Sequence, residues 1–118
     1  MVENILAAID REAISGSADA EWAQKAAAVM RSKSPLSLKL ALAQVRRGKA
    51  WDFGTCMQME FRIVSRVIHG NDFYEGVRAV IVDKDNNPRW RPATLPDVDE
   101  TEVERHFAPL GVSELVLS

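Results

Sequence analysis

Residues 71–93 read NDFYEGVRAVIVDKDNNPRWRPA and combine a helix start, a short amphipathic helix, a turn and a basic extension. Asp72 is a good N-cap because its side-chain oxygen can accept hydrogen bonds from the free backbone N–H groups of a first helical turn. Glu75 follows three residues later and can reach back to complete a capping box. The stretch therefore predicts a helix from about Phe73 to Val82, with apolar side chains on one stripe.

The residues after this helix predict a turn followed by an extended cationic segment. Residues 83–88, DKDNNP, are rich in side chains that hydrogen-bond locally, and they end in a proline that cannot continue a helix. Guanidinium and ammonium groups suit phosphate oxygens, so Lys84, Arg89 and Arg91 are candidate anion-binding residues. Trp90 offers a ring that can cover such a ligand. The alternative is a solvated basic turn with Trp90 packed on the domain surface.

Apolar residues at helical spacing recur through the rest of the chain, whereas strand signals are poor. Further helices are predicted at residues 2–12, 19–31, 35–48 and 52–69, and from Asp99 onward. Ser34 and Pro35 fit the N-cap and the first position of the third helix. The chain has neither an internal repeat nor a long linker. We therefore expect residues 1–118 to form one all-α domain, a small bundle of five or six short helices.

The helix predicted at residues 52–69 carries a wide apolar arc. Its main stripe consists of Met57, Phe61, Val64 and Ile68. Further apolar side chains lie beside that stripe, so the arc is wider than a surface helix needs. We expect this helix to be central and covered on more than one side.

Composition and charge argue against several classes of protein. The net charge of −2 disfavours nucleic-acid binding, which usually needs a basic face. Cys56 is the single cysteine, and its apolar neighbours indicate an inert buried thiol in a reducing compartment. His69 and His106 are far apart, whereas zinc needs three or four ligands, so no metal site is expected. No apolar run approaches the ~20 residues that span a bilayer, and no targeting signal is recognisable, so a cytoplasmic location is expected.

Four segments carry motifs that belong together: SPLSLK at residues 34–39, MEFR at 59–62, DF-x-EG-VRAV-x-x-DK-D-x-x-P-x-W-x-PA within 71–93, and 99–111, ending in HFAPLG. In this order they resemble the C-terminal region of the 3-hydroxyisobutyryl-CoA hydrolase branch of the crotonase (enoyl-CoA hydratase/isomerase) superfamily. The likeness covers roughly residues 20–111, and its most specific part is 71–93. It implies a parent protein that hydrolyses an acyl-CoA thioester in valine breakdown.

The resemblance also implies that the chemistry lies elsewhere. In that family the oxyanion hole and the acidic catalytic residues belong to a larger crotonase domain, and no position here matches them. We therefore expect residues 1–118 to be an inactive C-terminal fragment that lacks the crotonase core domain. We expect neither a catalytic residue nor a cofactor in the fragment, and acyl-CoA is expected to be the substrate of the parent protein. A lysine in the matching turn of crotonases is often near the CoA phosphates. The expected CoA contacts are therefore Lys84, Arg89, Trp90 and Arg91.

Two alternatives stay open at this point. The parent is an enoyl-CoA hydratase or isomerase, or the chain is a stand-alone helical interaction module that folds as a monomer. The hydrolase interpretation instead predicts bare apolar surface, and patches beyond a few hundred Å² usually find a partner. The expected partners are therefore the missing crotonase domain and further copies of the fragment. Binding to nucleic acid or to a membrane is not expected.

Overall fold

Residues 1–117 are described by a computed structural model. Within them the chain forms six α-helices and no strand: α1 Val2–Ala13, α2 Ala20–Ser32, α3 Pro35–Gly48, α4 Phe53–Val67, α5 Asn71–Val77 and α6 Glu100–Arg105. A π-helical turn, Arg78–Val82, continues α5, and short 3-10 turns lie at Leu95–Asp97 and Gly111–Ser113. The predicted all-α bundle of five or six short helices is confirmed.

Side-chain caps fix where three of these helices begin. Ser34 caps α3, Asp52 caps α4 and Asp99 caps α6, each by accepting a hydrogen bond from a backbone N–H of the first turn. Such a cap satisfies a donor that has no partner within the helix. Glu102 follows Asp99 at the spacing of a capping box, but among residues 1–117 its side chain pairs instead with Arg105, one turn further on.

The main core lies between α3, α4 and α6. Its buried side chains are Leu40, Met59, Ile63, Val98, Val103 and Phe107. At the end of α3, the Arg47 guanidinium lies 3.9 Å from the centre of the Phe107 ring and also pairs with Glu104. Arg47 therefore covers one edge of this core and joins α3 to α6.

The first two helices form a hairpin beside that core. Ala23 and Ala27 of α2 are buried, so the two helices approach through small side chains. Arg31 donates to both carboxylate oxygens of Asp10, at 2.9 and 2.5 Å, and this contact lowers the pKa of the Asp10 carboxyl. A half-exposed ion pair thus joins the two helices of a hairpin that buries little apolar surface.

The buried face of α4 differs from the predicted one. Met59 and Ile63 enter the core. The predicted stripe is half-buried or exposed: Met57, Phe61, Val64 and Ile68. Only Phe53, Glu60 and Val64 of α4 are exposed, so the helix is covered on more than one side as expected, and the prediction is wrong only about which face is most deeply buried. A wide apolar arc indicates how much of a helix is suited to burial, but it does not tell which part its own chain will cover.

The described chain is more open than a domain of this length usually is. Its accessible surface is 7939 Å², whereas a monomer of this mass is expected to expose about 6,400 Å². Its radius of gyration is 16.5 Å, against about 13.5 Å for a compact chain of the same length. Both differences have the same sign, so the chain leaves more of its surface in contact with solvent than a compact domain of its length does.

We expect Ile63→Ala to lower the free energy of unfolding by about 2–5 kcal/mol, because Ile63 is 9% exposed within the core. The matched control is Val64→Ala on the next residue. Val64 is 50% exposed, and its truncation is expected to cost about 0.5 kcal/mol. Urea unfolding of both variants measures the difference, and equal losses would contradict the burial of α4 described above.

Candidate functional site

Arg78 organises the loop that follows α5. Its guanidinium donates twice to the Glu75 carboxylate, at 2.8 and 2.7 Å. A third nitrogen donates to Asp83 at 2.8 Å and to Asp85 at 2.7 Å. The same side chain reaches the carbonyl oxygen of Asn87 at 3.3 Å. One cation therefore holds three carboxylates and closes the loop onto the helix.

These contacts favour the charged forms of Glu75, Arg78 and Asp85. Hydrogen bonds from Arg78, and then from the backbone N–H of Arg89, lower the pKa of the Glu75 carboxyl to about 2. Arg78 likewise lowers the pKa of Asp85. Hydrogen bonds to Glu75, Asp85 and Asp83 raise the pKa of Arg78 in turn. The loop is thus fixed by full charges across the ordinary range of pH.

The N-terminus of α5 is not capped as predicted. The helix begins at Asn71, and Gly70 occupies the N-cap position without a side-chain hydrogen bond. Asp72 is therefore already inside the first turn, where an acidic side chain suits the helix dipole. The capping box predicted for Asp72 and Glu75 is wrong because the helix starts two residues earlier than its pattern suggested.

Both carboxylates instead hold the basic segment against α5. Glu75 accepts a hydrogen bond from the backbone N–H of Arg89 at 2.7 Å, and Asp72 accepts one from the backbone N–H of Arg91 at 2.9 Å. The side chains of Arg89 and Arg91 are exposed, and neither forms an ion pair with another residue of the described chain. The acids therefore fix the backbone and leave both guanidinium groups to solvent.

Trp90 lies between the two arginines and packs on the protein. Its indole N–H donates to the carbonyl oxygen of Ser32 at 3.1 Å. A Cβ atom on Gly76 would lie 3.3 Å from the ring, so this glycine leaves the space that the indole occupies. The half-buried ring thus holds the segment in place. Its expected contact with coenzyme A stays a prediction.

Lys84 stands at the tip of the loop in an uncommon backbone conformation. Its φ is +56°, and that of Asn86 is +52°. Asparagine tolerates this left-handed region, whereas for other side chains it costs about 1 kcal/mol or more. Residues held in such backbone conformations concentrate at functional sites. Lys84 is exposed, and its expected contact with coenzyme A stays a prediction.

A polar cavity of about 380 Å³ adjoins the basic segment. Its lining residues are Asn71, Glu75, Arg78, Asp85, Asn87, Arg89 and Arg91. Because the Arg78 guanidinium is already paired with three carboxylates, Arg89 and Arg91 are the cations that an anion would meet there. The structure thus brings these two predicted residues together, and Lys84 is not among the lining residues.

A larger, mainly apolar cleft of about 910 Å³ lies between the start of α3 and α5. Its apolar walls include Leu36, Leu38, Leu40, Val67, Phe73, Val80 and Trp90. Ser34, Asp72 and His106 are among its polar residues. We call it the α3–α5 cleft. Its volume is in the range of small-molecule sites, which are mostly apolar with a few placed polar groups.

Arg78 is the site residue that the sequence patterns did not single out. Its signal was available, since Glu75 precedes it at the i, i+3 spacing of a helical ion pair. The acids at positions 83 and 85 gave no such signal, because the loop must reverse before they reach the guanidinium.

Among residues 1–117 no group of histidine, cysteine or acidic side chains is arranged to hold a metal ion. None of the described helices combines the length and apolarity that a membrane span requires.

Comparison with known proteins assigns the family. A family model described as enoyl-CoA hydratase/isomerase matches residues 1–107. The mitochondrial 3-hydroxyisobutyryl-CoA hydrolase of Gallus gallus is 44% identical over 96 residues, which are 81% of this chain and 25% of that protein. The 3-hydroxyisobutyryl-CoA hydrolase 1 of Arabidopsis thaliana is 40% identical over 109 residues, 90% of this chain and 28% of that protein.

Solved structures agree with this assignment. A carnitinyl-CoA dehydratase from Mycobacterium thermoresistibile superposes with a TM-score of 0.80 at 34% identity, covering 98% of this chain and 31% of that one. An enoyl-CoA hydratase from Rhodobacter sphaeroides superposes with a TM-score of 0.81 at 33% identity, covering 99% and 33%. The chain belongs to the enoyl-CoA hydratase/isomerase family, as its motifs indicated. It spans about a quarter to a third of the length of these relatives.

The low pKa of Glu75 makes a prediction for acid stability. Since the pKa is about 2 in the folded chain against an ordinary 4.5, the carboxylate stabilises the fold above about pH 4.5. That contribution is lost as the pH falls towards 2. We expect Glu75→Gln to lower the melting temperature at neutral pH and to flatten its decline between pH 4.5 and 2, as measured by circular dichroism.

The control for this experiment is Glu21→Gln. The Glu21 side chain is 80% exposed, and among residues 1–117 it pairs only with Lys25 on the helix surface. Its melting curve against pH should run parallel to that of the unmodified chain. A parallel curve for Glu75→Gln as well would show that the Arg78 cluster does not stabilise the fold.

Proposed function

We propose that this chain is the C-terminal helical region of a 3-hydroxyisobutyryl-CoA hydrolase-like enzyme that cleaves an acyl-CoA thioester in valine breakdown. It covers the acyl-CoA pocket and contributes to assembly, and by itself it is inactive. The proposal rests on the identity of about 40% to such hydrolases over most of this chain, together with their greater length. The predicted cytoplasmic location remains part of the proposal, although several relatives are named as mitochondrial.

The exposed apolar surface supports a covering role. Large side chains with 40% or more of their surface exposed run along α4, α5 and the π-helical turn: Val64, Ile68, Phe73, Tyr74, Val80, Ile81 and Val82. We call these residues the α4–α5 face. A crotonase domain packed on this face would remove it from water, and each buried aliphatic side chain would then contribute about 1.5–3 kcal/mol.

The chemistry of the proposed parent is divided between the two parts. Backbone N–H groups of the crotonase domain polarise the thioester carbonyl. Carboxylates of the same domain act as general acid and base toward the attacking water. The present chain binds the far end of the substrate, where Lys84, Arg89 and Arg91 meet the phosphates of coenzyme A and Trp90 lies against the adenine or the pantetheine arm. Because Asp72 and Glu75 hold the segment rigid beforehand, binding orders little additional backbone.

One alternative parent is an enoyl-CoA hydratase or isomerase, which the superposed hydratase and dehydratase structures favour. The higher identity to the hydrolases favours our choice. The other alternative, a stand-alone interaction module, is disfavoured by the open shape of the chain and by the size of the α4–α5 face.

A chimera tests the proposal. The matching quarter of the Gallus gallus hydrolase is replaced by this chain, and turnover of 3-hydroxyisobutyryl-CoA is measured. We expect thioester hydrolysis to be restored, relative to the hydrolase that lacks this quarter. A matched second chimera carries the same segment on the Rhodobacter sphaeroides hydratase and is expected to hydrate poorly. An active hydratase chimera beside a folded, inactive hydrolase chimera would favour the alternative parent.

Lys84 is tested in the hydrolase chimera by Lys84→Gly. Glycine adopts the left-handed backbone without cost, so the folded chain should lose no stability and gain up to about 1 kcal/mol. The KM for the CoA ester should rise about tenfold with little change in kcat, because one phosphate contact is lost. Asn86→Gly is the matched control, since it changes a neutral side chain in the same backbone conformation. An unchanged KM for Lys84→Gly would remove Lys84 from the site.

We further propose that copies of the 118-residue chain associate through the α4–α5 face. The accessible surface exceeds the expected value by roughly 1,500 Å², whereas a standard interface buries about 800 Å² on each partner. Sedimentation should therefore detect dimers or larger species, and Val80→Lys should weaken them. Val45→Lys, at a 72% exposed position of α3, is the control. A strict monomer at high concentration would contradict this proposal.

A further inference from the structure

The last residues of the described chain run along α4 and are held there mainly by polar contacts. We call residues 111–117 the C-terminal segment. It begins with the 3-10 turn Gly111–Ser113 and continues without regular secondary structure. None of its residues is buried, and Val112 and Val116 are almost fully exposed. Apolar burial therefore contributes little to the position of this segment.

One stripe of α4 binds the C-terminal segment. Gln58 donates a hydrogen bond to the carbonyl oxygen of Leu115 at 3.2 Å. A Cβ atom on Gly54 would lie 3.6 Å from Leu117, so that side chain packs over the first turn of the helix. Further along α4, two arginines bind Glu114 and the backbone just before the segment. The four residues recur at every fourth position and share one face of the helix, and we call them the α4 stripe: Gly54, Gln58, Arg62 and Arg66.

Glu114 is the main anchor of the C-terminal segment. Its carboxylate accepts hydrogen bonds from Arg62 Nε at 2.8 Å and from the backbone N–H of Leu110 at 2.9 Å. The side chains of Arg62 and Glu114 are only 23% and 19% exposed. The hydrogen bond from Arg62 is the main cause that lowers the pKa of the Glu114 carboxyl. Such charge-assisted hydrogen bonds are stronger than neutral ones, so loss of the carboxylate should loosen the segment.

The C-terminal segment can leave the α4 stripe while the core stays folded. None of residues 111–117 belongs to the main core. Gly111 has a φ of +64°, and no atom lies within 4 Å of the position of a Cβ there. Its backbone therefore tolerates a change of direction at the start of the segment. Segments with few buried apolar contacts open locally at low cost, and an identical segment from another copy would then find the same contacts.

We propose that the α4 stripe is a docking site that accepts the C-terminal segment of a second copy of this chain in place of its own. Recognition requires an acidic side chain opposite Arg62, a backbone carbonyl one residue later and an apolar side chain three residues after the acid. Within one copy the segment is present at an effective concentration on the order of millimolar, because its connection to α6 is short. Exchange is therefore favoured when a copy's own segment is weakened. This inference does not depend on the proposed function.

Two variants of the full chain test the exchange. Glu114→Gln weakens the C-terminal segment and leaves the α4 stripe intact, whereas Arg62→Met weakens the stripe and leaves the segment intact. We expect their mixture to associate about tenfold more tightly than either variant does with itself, because only the mixture can form the charged hydrogen bond between copies. Sedimentation velocity with one variant fluorescently labelled measures each Kd. Association through the α4–α5 face is common to all three samples, so its presence or absence does not change this comparison.

A synthetic peptide with the sequence of residues 111–118, GVSELVLS, provides a second readout. It should bind Glu114→Gln about tenfold more tightly than it binds the unmodified chain, whose own segment occupies the stripe. A matched peptide with glutamine in place of its glutamate should lose this gain. The control chain is Glu21→Gln, changed at an exposed position of α2, and it should bind as the unmodified chain does.

Two results would overturn the inference. One is a mixture of the two variants that associates no more tightly than its components. The other is equal binding of the two peptides to Glu114→Gln, since an ordinary surface contact would not distinguish them. If Arg62→Met does not fold, the comparison of the two peptides decides the question.

Discussion

The ion cluster around Arg78 is the interaction on which the arrangement of the basic segment depends. The chain reverses after the π-helical turn although Val80, Ile81 and Val82 are all more than half exposed, so apolar burial does not hold this loop. One guanidinium binds Glu75 on the helix and Asp83 and Asp85 beyond it. Isolated surface ion pairs contribute little. Arg78 binds Glu75 with two hydrogen bonds and also holds Asp83 and Asp85, so it fixes the position of the loop relative to α5. The residues that follow the loop are thereby directed back along α5.

The same cluster explains why acidic residues surround a segment proposed to bind anions. Glu75 is paired with Arg78 and with the backbone of Arg89, and Asp72 is bound by Ser34 and the backbone of Arg91. Their oxygens are therefore engaged inside the protein, whereas the guanidinium groups of Arg89 and Arg91 have no such partners among residues 1–117 and face solvent. Arg78 offsets only one of its three carboxylates, so an anion would be bound by contact with these two guanidinium groups and not by the net charge of the loop.

Local sequence determined most of the fold that could be predicted. Helix starts at Ser34, Asp52 and Asp99 depend on contacts within one turn, and the structure has them. Predictions failed where a side chain had a choice of distant partners. Asp72 and Glu75 have the spacing of a capping box. Both carboxylates nevertheless accept hydrogen bonds from backbone N–H groups that lie 14 and 19 positions further along the chain. The α3–α5 cleft was equally out of reach, because its lining residues come from segments that are distant in the sequence and it is not visible in any one of them.

The position of α4 brings these observations together. Met59 and Ile63 turn one side of the helix into the core of the chain, while Val64 and Ile68 leave the other side in water. A helix that is apolar on both sides is suited to lie between two layers, and this chain supplies one of them. The α3–α5 cleft opens where that layer also meets Phe73 and Val80 of the exposed face. A body packed on the α4–α5 face would therefore border the cleft as well, because Phe73 and Val80 belong to both surfaces.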